Sequence, residues 1–265
     1  MIPNRALGRF ADRLRLRAVK MVAPHGFGYL GQVLSSAELF AALYAGHYRP
    51  ETDKIVISPG HYIIAAFAAA AEIGVLDEAL LDTYGHDGSQ LEAIGTERSP
   101  AVDLTGGSLG QGLSGAVGFA LALKMAGSTE PRVYAMISDG EMEEGQLWEA
   151  ALFAAHNKLD NLTVILDAND SQVDGPVSSI TTLEPMAEKW QSFGWAAFDV
   201  DGHDAEAVDA ALTEAIKSGK PGVVIGRTST GHGLAVLPED ADGHFIKLPP
   251  ELAEAAIAEL EARLA

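Results

Sequence analysis

The sequence predicts an α/β chain with a mostly parallel sheet and helices on both faces. Three observations carry this. Short Val- and Ile-rich runs recur along the chain. Ala-rich segments with helical spacing separate them. Runs such as Leu162-Thr163-Val164-Ile165-Leu166 are apolar almost throughout rather than alternating. A strand that is apolar at nearly every position is buried on both faces, as in a parallel sheet between two helical layers.

The elements follow in order. The basic stretch MIPNRALGRFADRLRLRAVK carries Arg at 5, 9, 13, 15 and 17. It lacks the apolar centre of a signal peptide and reads as a first helix with Leu7, Phe10, Leu14 and Val19 partly buried; a transit peptide is the alternative. Ile55-Val56-Ile57 reads as a strand, followed by a helix over 61–73. A Gly-rich turn at 106–112 opens a long apolar helix reaching about Met125. Val133-Tyr134-Ala135-Met136-Ile137 and Leu162 to Leu166 are two further strands around a helix at 144–159, in which Trp148, Leu152, Ala155 and Leu159 form an apolar stripe for core or interface. Trp195 to Val200 and Gly222 to Gly226 flank a helix at 204–218. The segment 231–250, rich in Gly, Pro and Asp, reads as an ordered loop near the site, and 250–265 as an amphipathic helix. No repeat or linker divides the chain, so one domain over 1–265 is expected.

Composition narrows the function. The net charge of −19 disfavours nonspecific nucleic-acid binding by repulsion. No apolar run approaches a membrane span. With no cysteine, thiolate metal sites, disulfides and a Cys nucleophile are excluded. That composition fits a cytoplasmic protein. An acidic chain that binds an anion needs local help from metal, backbone N–H groups or histidine.

Asp139 and Asn169 are the most informative pair. Each lies at the carboxyl end of an apolar run, the edge at which open α/β sheets bind ligands. Both offer hard oxygen donors, suited to Mg²⁺ or Ca²⁺. Two protein oxygens leave room for phosphate oxygens, so the pair predicts a divalent metal carrying a diphosphate. In isolation, Asp and Asn at such places also cap helices and turns. The run from Gly106 to Ser114 lets backbone N–H groups converge on anionic oxygens at a helix start. A plain turn is the blander reading. The order Gly-Gly-x-x-Gly-x-Gly is not that of a dinucleotide fingerprint.

Ser138-Asp139-Gly140-Glu141-Met142-Glu143-Glu144-Gly145, Trp148-Glu149-Ala150-Ala151, Asn157-Lys158-Leu159-Asp160-Asn161-Leu162, Asn169 and Asp174-Gly175 together resemble the thiamine-diphosphate motif of transketolases. Ser58-Pro59-Gly60-His61 and Gly106-Gly107-Ser108-Leu109-Gly110-Gln111-Gly112 extend the resemblance, which covers roughly residues 5–247. It implies the diphosphate-binding domain of the thiamine-diphosphate-binding fold. Asp139, Asn169 and the main-chain carbonyl of Ser171 would hold Mg²⁺ or Ca²⁺. His61, Gly107, Leu109, Gly140 and His244 would lie against thiamine diphosphate, with His61 and His244 as catalytic candidates. Glu144 and Glu149 would sit at a subunit interface. His25, His47, His86, His156, His203 and His232 take the ordinary surface or core reading.

Three positions depart from the family's pattern. Ser138 stands where Gly is usual. Tyr29 stands where the family has a donor-binding His, unless a shift brings His25 into play. The second such His aligns near Ala93 and is absent. The cofactor groups are kept while the substrate groups differ.

The resemblance covers only the diphosphate-binding part. It therefore implies the N-terminal subunit of a split transketolase. The partner, a C-terminal subunit, would carry the pyrimidine-binding domain and the activating Glu, in a heterotetramer. The expected activity is transfer of a two-carbon ketol unit from a ketose or ketose phosphate to an aldehyde, in carbohydrate metabolism. Acyl transfer from a 2-oxo acid and a noncatalytic partner-binding domain are the alternatives.

Overall fold

The computed structural model describes residues 4–238 and 241–265. The first residues of the basic N-terminal stretch and positions 239–240 of the 231–250 loop lie outside the described residues. In chain order the elements are α1 (Asn4–Val22), β1 (Phe27–Gly28), α2 (Leu30–Gly46), β2 (Lys54–Ile57), α3 (Ile63–Glu72), β3 (Leu104–Thr105), α4 (Gly112–Met125), β4 (Val133–Ser138) and α5 (Gly145–His156). There follow β5 (Leu162–Ala168), α6 (Val177–Ile180), α7 (Met186–Ser192), β6 (Ala196–Asp201), α8 (Ala205–Lys217), β7 (Gly222–Arg227), β8 (Ile246–Lys247) and α9 (Pro250–Leu264).

Six strands form one sheet in the order β3-β2-β4-β5-β7-β6, parallel throughout. The expected strands are all present. The sheet is buried on both sides because residues alternate between two cores. Ile55, Ile57, Tyr134, Met136 and Ile165 face the layer of α1, α2, α3, α8 and α9. Val56, Ala135, Ile137, Val164 and Leu166 face α4, α5 and α7. Period-2 alternation between two apolar layers is what an all-apolar strand encodes.

The first helix is buried more deeply than its sequence suggests, with Leu7 at 1% exposure and Leu14 and Val19 at 0%. Arg15, 2% exposed, forks onto both oxygens of Glu38 at 2.7 and 2.6 Å and so locks α1 to α2. In α5 the apolar stripe is displaced. The buried positions are Leu147, Ala150, Ala151 and Ala154, whereas Leu152 is 55% exposed and Trp148 half-buried. Leu159 is buried beyond the helix end.

Strand order reverses between β2 and β4. The chain leaves β2 for β3 on one side and returns to β4 on the other. The crevice at the carboxyl ends there is where such sheets bind ligands. A second feature closes over it. β1 and β8 pair antiparallel, Phe27 with Lys247 and Gly28 with Ile246, which brings the segment before β8 onto the start of α2. The approach is so close that a Cβ at Gly31 would lie 1.8 Å from the Gly243 carbonyl oxygen, so only glycine fits there.

Candidate active site

Each candidate group is set by a strand end. β4 and β5 run in register with Ser138 opposite Asp167. The ladder continues one step, with Asp139 N–H donating to the Asp167 carbonyl at 3.1 Å. Asp139 therefore enters a short turn beside the end of β5. It is 1% exposed and accepts from the N–H groups of Gly140 at 2.8 Å and Asp170 at 2.7 Å. Asp170 can donate there because its backbone is left-handed, at φ 56, a conformation Asp tolerates. Burial and then the nearby Asp167 push the Asp139 carboxyl up to about 7. The two N–H donors therefore offset only part of the cost of burying its charge.

Asn169, 8% exposed, is oriented by Asp167. Its Nδ2 donates to the Asp167 carboxylate at 2.9 Å and to the Tyr62 hydroxyl at 3.0 Å. A carboxylate only accepts, so the amide nitrogen must face inward and the carbonyl oxygen outward, where it accepts from Ser171 N–H at 3.0 Å. Asp167 is wholly buried and also receives hydroxyls from Ser35, Tyr62 and Thr228. Burial still raises its pKa. Sequence reasoning missed Asp167 and Tyr62. The available signal was an Asp ending an otherwise apolar buried strand, which cannot stand without partners.

The Gly-rich turn lies beside this pair. A Cβ at Gly112 would sit 2.5 Å from Ser58 Cα, so the turn packs backbone to backbone against the end of β2. Glu141, another missed residue, is 0% exposed and accepts from Gly110 N–H at 2.6 Å and from Ser58 Oγ, tying the turn to the β4 end. Burial pushes it up to about 7, and its Oε2 has no partner among the described residues. Gly107 is exposed and a Cβ there would meet nothing within 4 Å, while Leu109 is half-buried. Gly140 is buried next to Asp139. Glu144 and Glu149 are exposed, Glu144 at the start of α5 with its Cβ region against Gly110.

His61 and His244 come together, with ring centroids 5.0 Å apart. Burial and then the neighbouring His244 hold the His61 pKa down at about 3, and burial lowers that of His244. Both rings are neutral at ordinary pH. Tyr29 stands against both, at 5.3 Å from His61 and 5.7 Å from His244. His25 instead bonds the Tyr84 carbonyl at 2.6 Å and packs on His86, so the ring beside His61 is that of Tyr29. In the segment holding Ala93, Gly95 N–H bonds the Gly60 carbonyl at 2.9 Å, and Ile94, 44% exposed, lies against Gly60.

These residues fit a metal-bound diphosphate. The donors are hard oxygens, no cationic side chain among the described residues offsets the buried Asp139, and Gly107 borders open space on the turn. A second group, Glu38, His203 and His232, brings ligand atoms within 4.8 Å of one another. There Arg15 already occupies Glu38, and His203 Nε2 accepts from Ser229 N–H at 2.9 Å, so the cluster serves packing.

Residues 8–264 match the family described as transketolase, thiamine diphosphate binding domain. The chain belongs to the transketolase family. It is 39% identical over 259 residues to a transketolase family protein, y4mO, of Sinorhizobium fredii, covering 94% of this chain and 92% of that one. It is 38% identical over 261 residues to the 6-deoxy-6-sulfo-D-fructose transketolase subunit SqwG of a Clostridium species, covering 95% and 94%. Among solved structures, transketolase from Campylobacter jejuni superposes with a TM-score of 0.88 at 26% identity, covering 98% of this chain and 43% of that one. The chain thus spans less than half the length of that transketolase and nearly all of the SqwG subunit. As a transketolase diphosphate-binding domain it has the fold expected from its sequence, and no helix among the described residues is long and apolar enough to cross a membrane.

Proposed function

We propose that this chain is the diphosphate-binding subunit of a two-subunit, thiamine-diphosphate-dependent transketolase. In this reading it works with a separate pyrimidine-binding subunit in a heterotetramer and moves a two-carbon ketol unit from a ketose to an aldehyde. The carrying observation is the buried pair of Asp139 and the oriented Asn169 at the sheet edge, in a chain that aligns along nearly the whole of a transketolase subunit. Asp139, Asn169 and the Ser171 carbonyl would hold Mg²⁺. The Gly106–Gly112 turn, Gly140, Leu109, His61 and His244 would receive the cofactor. Bound there, thiamine diphosphate supplies the electron sink for carbon–carbon cleavage. The protein's own part is electrostatic and geometric. Asp139 places negative charge where the metal needs it, Asp167 aims the Asn169 oxygen, and His61 offers a neutral N–H to anionic or hydroxyl oxygen. Glu144 and Glu149, exposed beside the turn, fit contact with a second copy.

The donor pocket differs from that of ordinary transketolase. Tyr29 fills the place beside His61 and His244, and Ile94 lies near the turn where the second donor His is missing. SqwG is a subunit of a 6-deoxy-6-sulfo-D-fructose transketolase, which supports a donor other than the usual sugar phosphate. We read this chain as serving such a less common ketose.

The test is to purify the chain, add Mg²⁺ and thiamine diphosphate, and follow hydrogen–deuterium exchange at the cofactor C2 by NMR. Slow exchange that accelerates on adding the companion subunit supports the reading. Fast exchange without a partner refutes it. A donor panel separates ketol from acyl transfer: a ketose leaves an aldose and no CO₂, whereas a 2-oxo acid without a 3-hydroxyl releases CO₂ and passes on an acyl unit.

A further inference from the structure

Gln32 lies in the first turn of α2 at 1% exposure, among Leu30, Val33 and Leu34. Its amide nitrogen is 3.1 Å from the His244 carbonyl oxygen and 3.2 Å from His244 Nδ1. A carbonyl oxygen only accepts, so the end of the amide facing His244 is the NH₂. An NH₂ only donates, so Nδ1 of His244 is bare and the ring proton sits on Nε2. The other end of the amide, Oε1, is buried with no partner among the described residues. Such an orphan costs about 1–3 kcal/mol, which an apolar side chain would avoid. The amide's position is therefore explained by what its nitrogen does to His244.

We propose that Gln32 is a positioning residue that holds His244 as the Nε2–H tautomer, so that this ring donates a hydrogen bond and does not act as a base. The inference rests on the proposed placement of His244 in the active site. The surroundings agree. Tyr29 meets the ring edge-on, at 85°, and fixes its plane. His61, the other titratable ring against it, is neutral. Among the described residues, Asp242 is the carboxylate that favours a charged His244, and its Oδ1 accepts the N–H groups of His244 and Phe245 at 2.8 and 3.3 Å. The free Nε2–H then suits an anionic oxygen of the diphosphate or a hydroxyl of the donor sugar. Its donation stays constant with pH while Nδ1 remains blocked.

The test is histidine-selective ¹⁵N NMR on the full chain, with His244 assigned from the spectrum of His244→Gln. In the wild type, Nδ1 should resonate as an imine nitrogen and Nε2 as a protonated one. Gln32→Glu replaces a donor by an acceptor of the same shape and should move the proton to Nδ1. Gln32→Met should shift the Nδ1 resonance toward that of an unbonded imine. A wild-type His244 protonated on Nδ1, or an unchanged His244 in Gln32→Glu, overturns the proposal. If Gln32→Glu does not fold, an unchanged Nδ1 in Gln32→Met overturns it. Failure of the active-site reading shows separately, as no thiamine diphosphate binding by the wild-type chain with its partner in calorimetry.

Discussion

Asp139→Asn should stabilise the metal-free chain at alkaline pH and abolish its response to metal and cofactor. The Asp139 carboxyl is raised from 3.8 to about 7 by burial and by Asp167. Below the lower value the group is protonated folded and unfolded alike. Between the two values the unfolded chain has released its proton and the folded chain has not, so stability falls as pH rises through that window. That difference corresponds to about 4 kcal/mol at most. The amide avoids this loss. Against it, Asn turns an NH₂ toward one of the two backbone N–H groups now bonded to the carboxylate, a cost of about 1–3 kcal/mol. The variant should therefore be less stable than wild type near pH 4 and more stable by roughly 1–3 kcal/mol near pH 8, in chelator. With Mg²⁺, thiamine diphosphate and partner, the variant's alkaline advantage should close or reverse. A ligand at a hundredfold its Kd adds about 2.7 kcal/mol to the wild type and little to the variant. Thermal unfolding across pH, with and without ligand, measures both. A wild-type-to-variant difference that stays constant with pH, or equal cofactor affinity in calorimetry, would refute the argument.

Asp167→Asn should lower cofactor affinity about 10–100-fold without touching the metal, because Asn169 loses the carboxylate that aims its oxygen; calorimetry on the reconstituted enzyme reads this, and full affinity would clear Asp167 of the role. Arg15→Met should cost about 3–5 kcal/mol by stranding the buried Glu38. Burial alone would raise the Glu38 pKa, but His203 and Arg15 hold it near 2, below its ordinary 4.5, so this stabilisation is present above pH 4.5. The gap between wild type and variant in denaturant titrations should narrow as pH falls from 4.5 toward 2. In a donor panel, kcat/KM for xylulose 5-phosphate should fall well below that of a ketose with a different anionic tail, since each hydroxyl left unpaired in a closed site costs about 1–3 kcal/mol. A value matching ordinary transketolases counts against the Tyr29 reading.

The sheet was legible because its central strands β4 and β5 are apolar nearly throughout and end in abrupt polar residues. A buried run that breaks at Ser138-Asp139 or at Asp167-Ala168-Asn169 can break there only for a reason, and the sheet edge supplies it. The helix after β4 was legible in extent but not in orientation. Its large residues, Trp148 and Leu152, drew the stripe, yet the face against the core is Leu147, Ala150, Ala151 and Ala154. Alanine carries little hydrophobic signal, but it is what lets a helix lie close on a sheet. Leu152 and Phe153 remain uncovered in the single chain.

The supporting residues of the site were hidden by a different effect. α2 places Gln32, Ser35, Ser36 and Glu38 between apolar residues, and a periodicity argument assigns such polar positions to solvent. All are buried. Each has a polar partner that lies far along the chain or in its own backbone. Ser35 meets Asp167, Glu38 meets Arg15, Gln32 meets His244 and Ser36 bonds the Gln32 carbonyl. Pairing of this kind becomes visible only once the strand order is known, because α2 contributes to the site through the sheet end it covers. That dependence bears on donor choice. Tyr29 and Gln32 occupy the same turn and act on the same histidine, Tyr29 from its edge and Gln32 through Nδ1. A change at one alters the ring that the other holds. Exchanging Tyr29 for His should therefore not by itself restore ordinary transketolase specificity, because Gln32 would still fix the proton on His244.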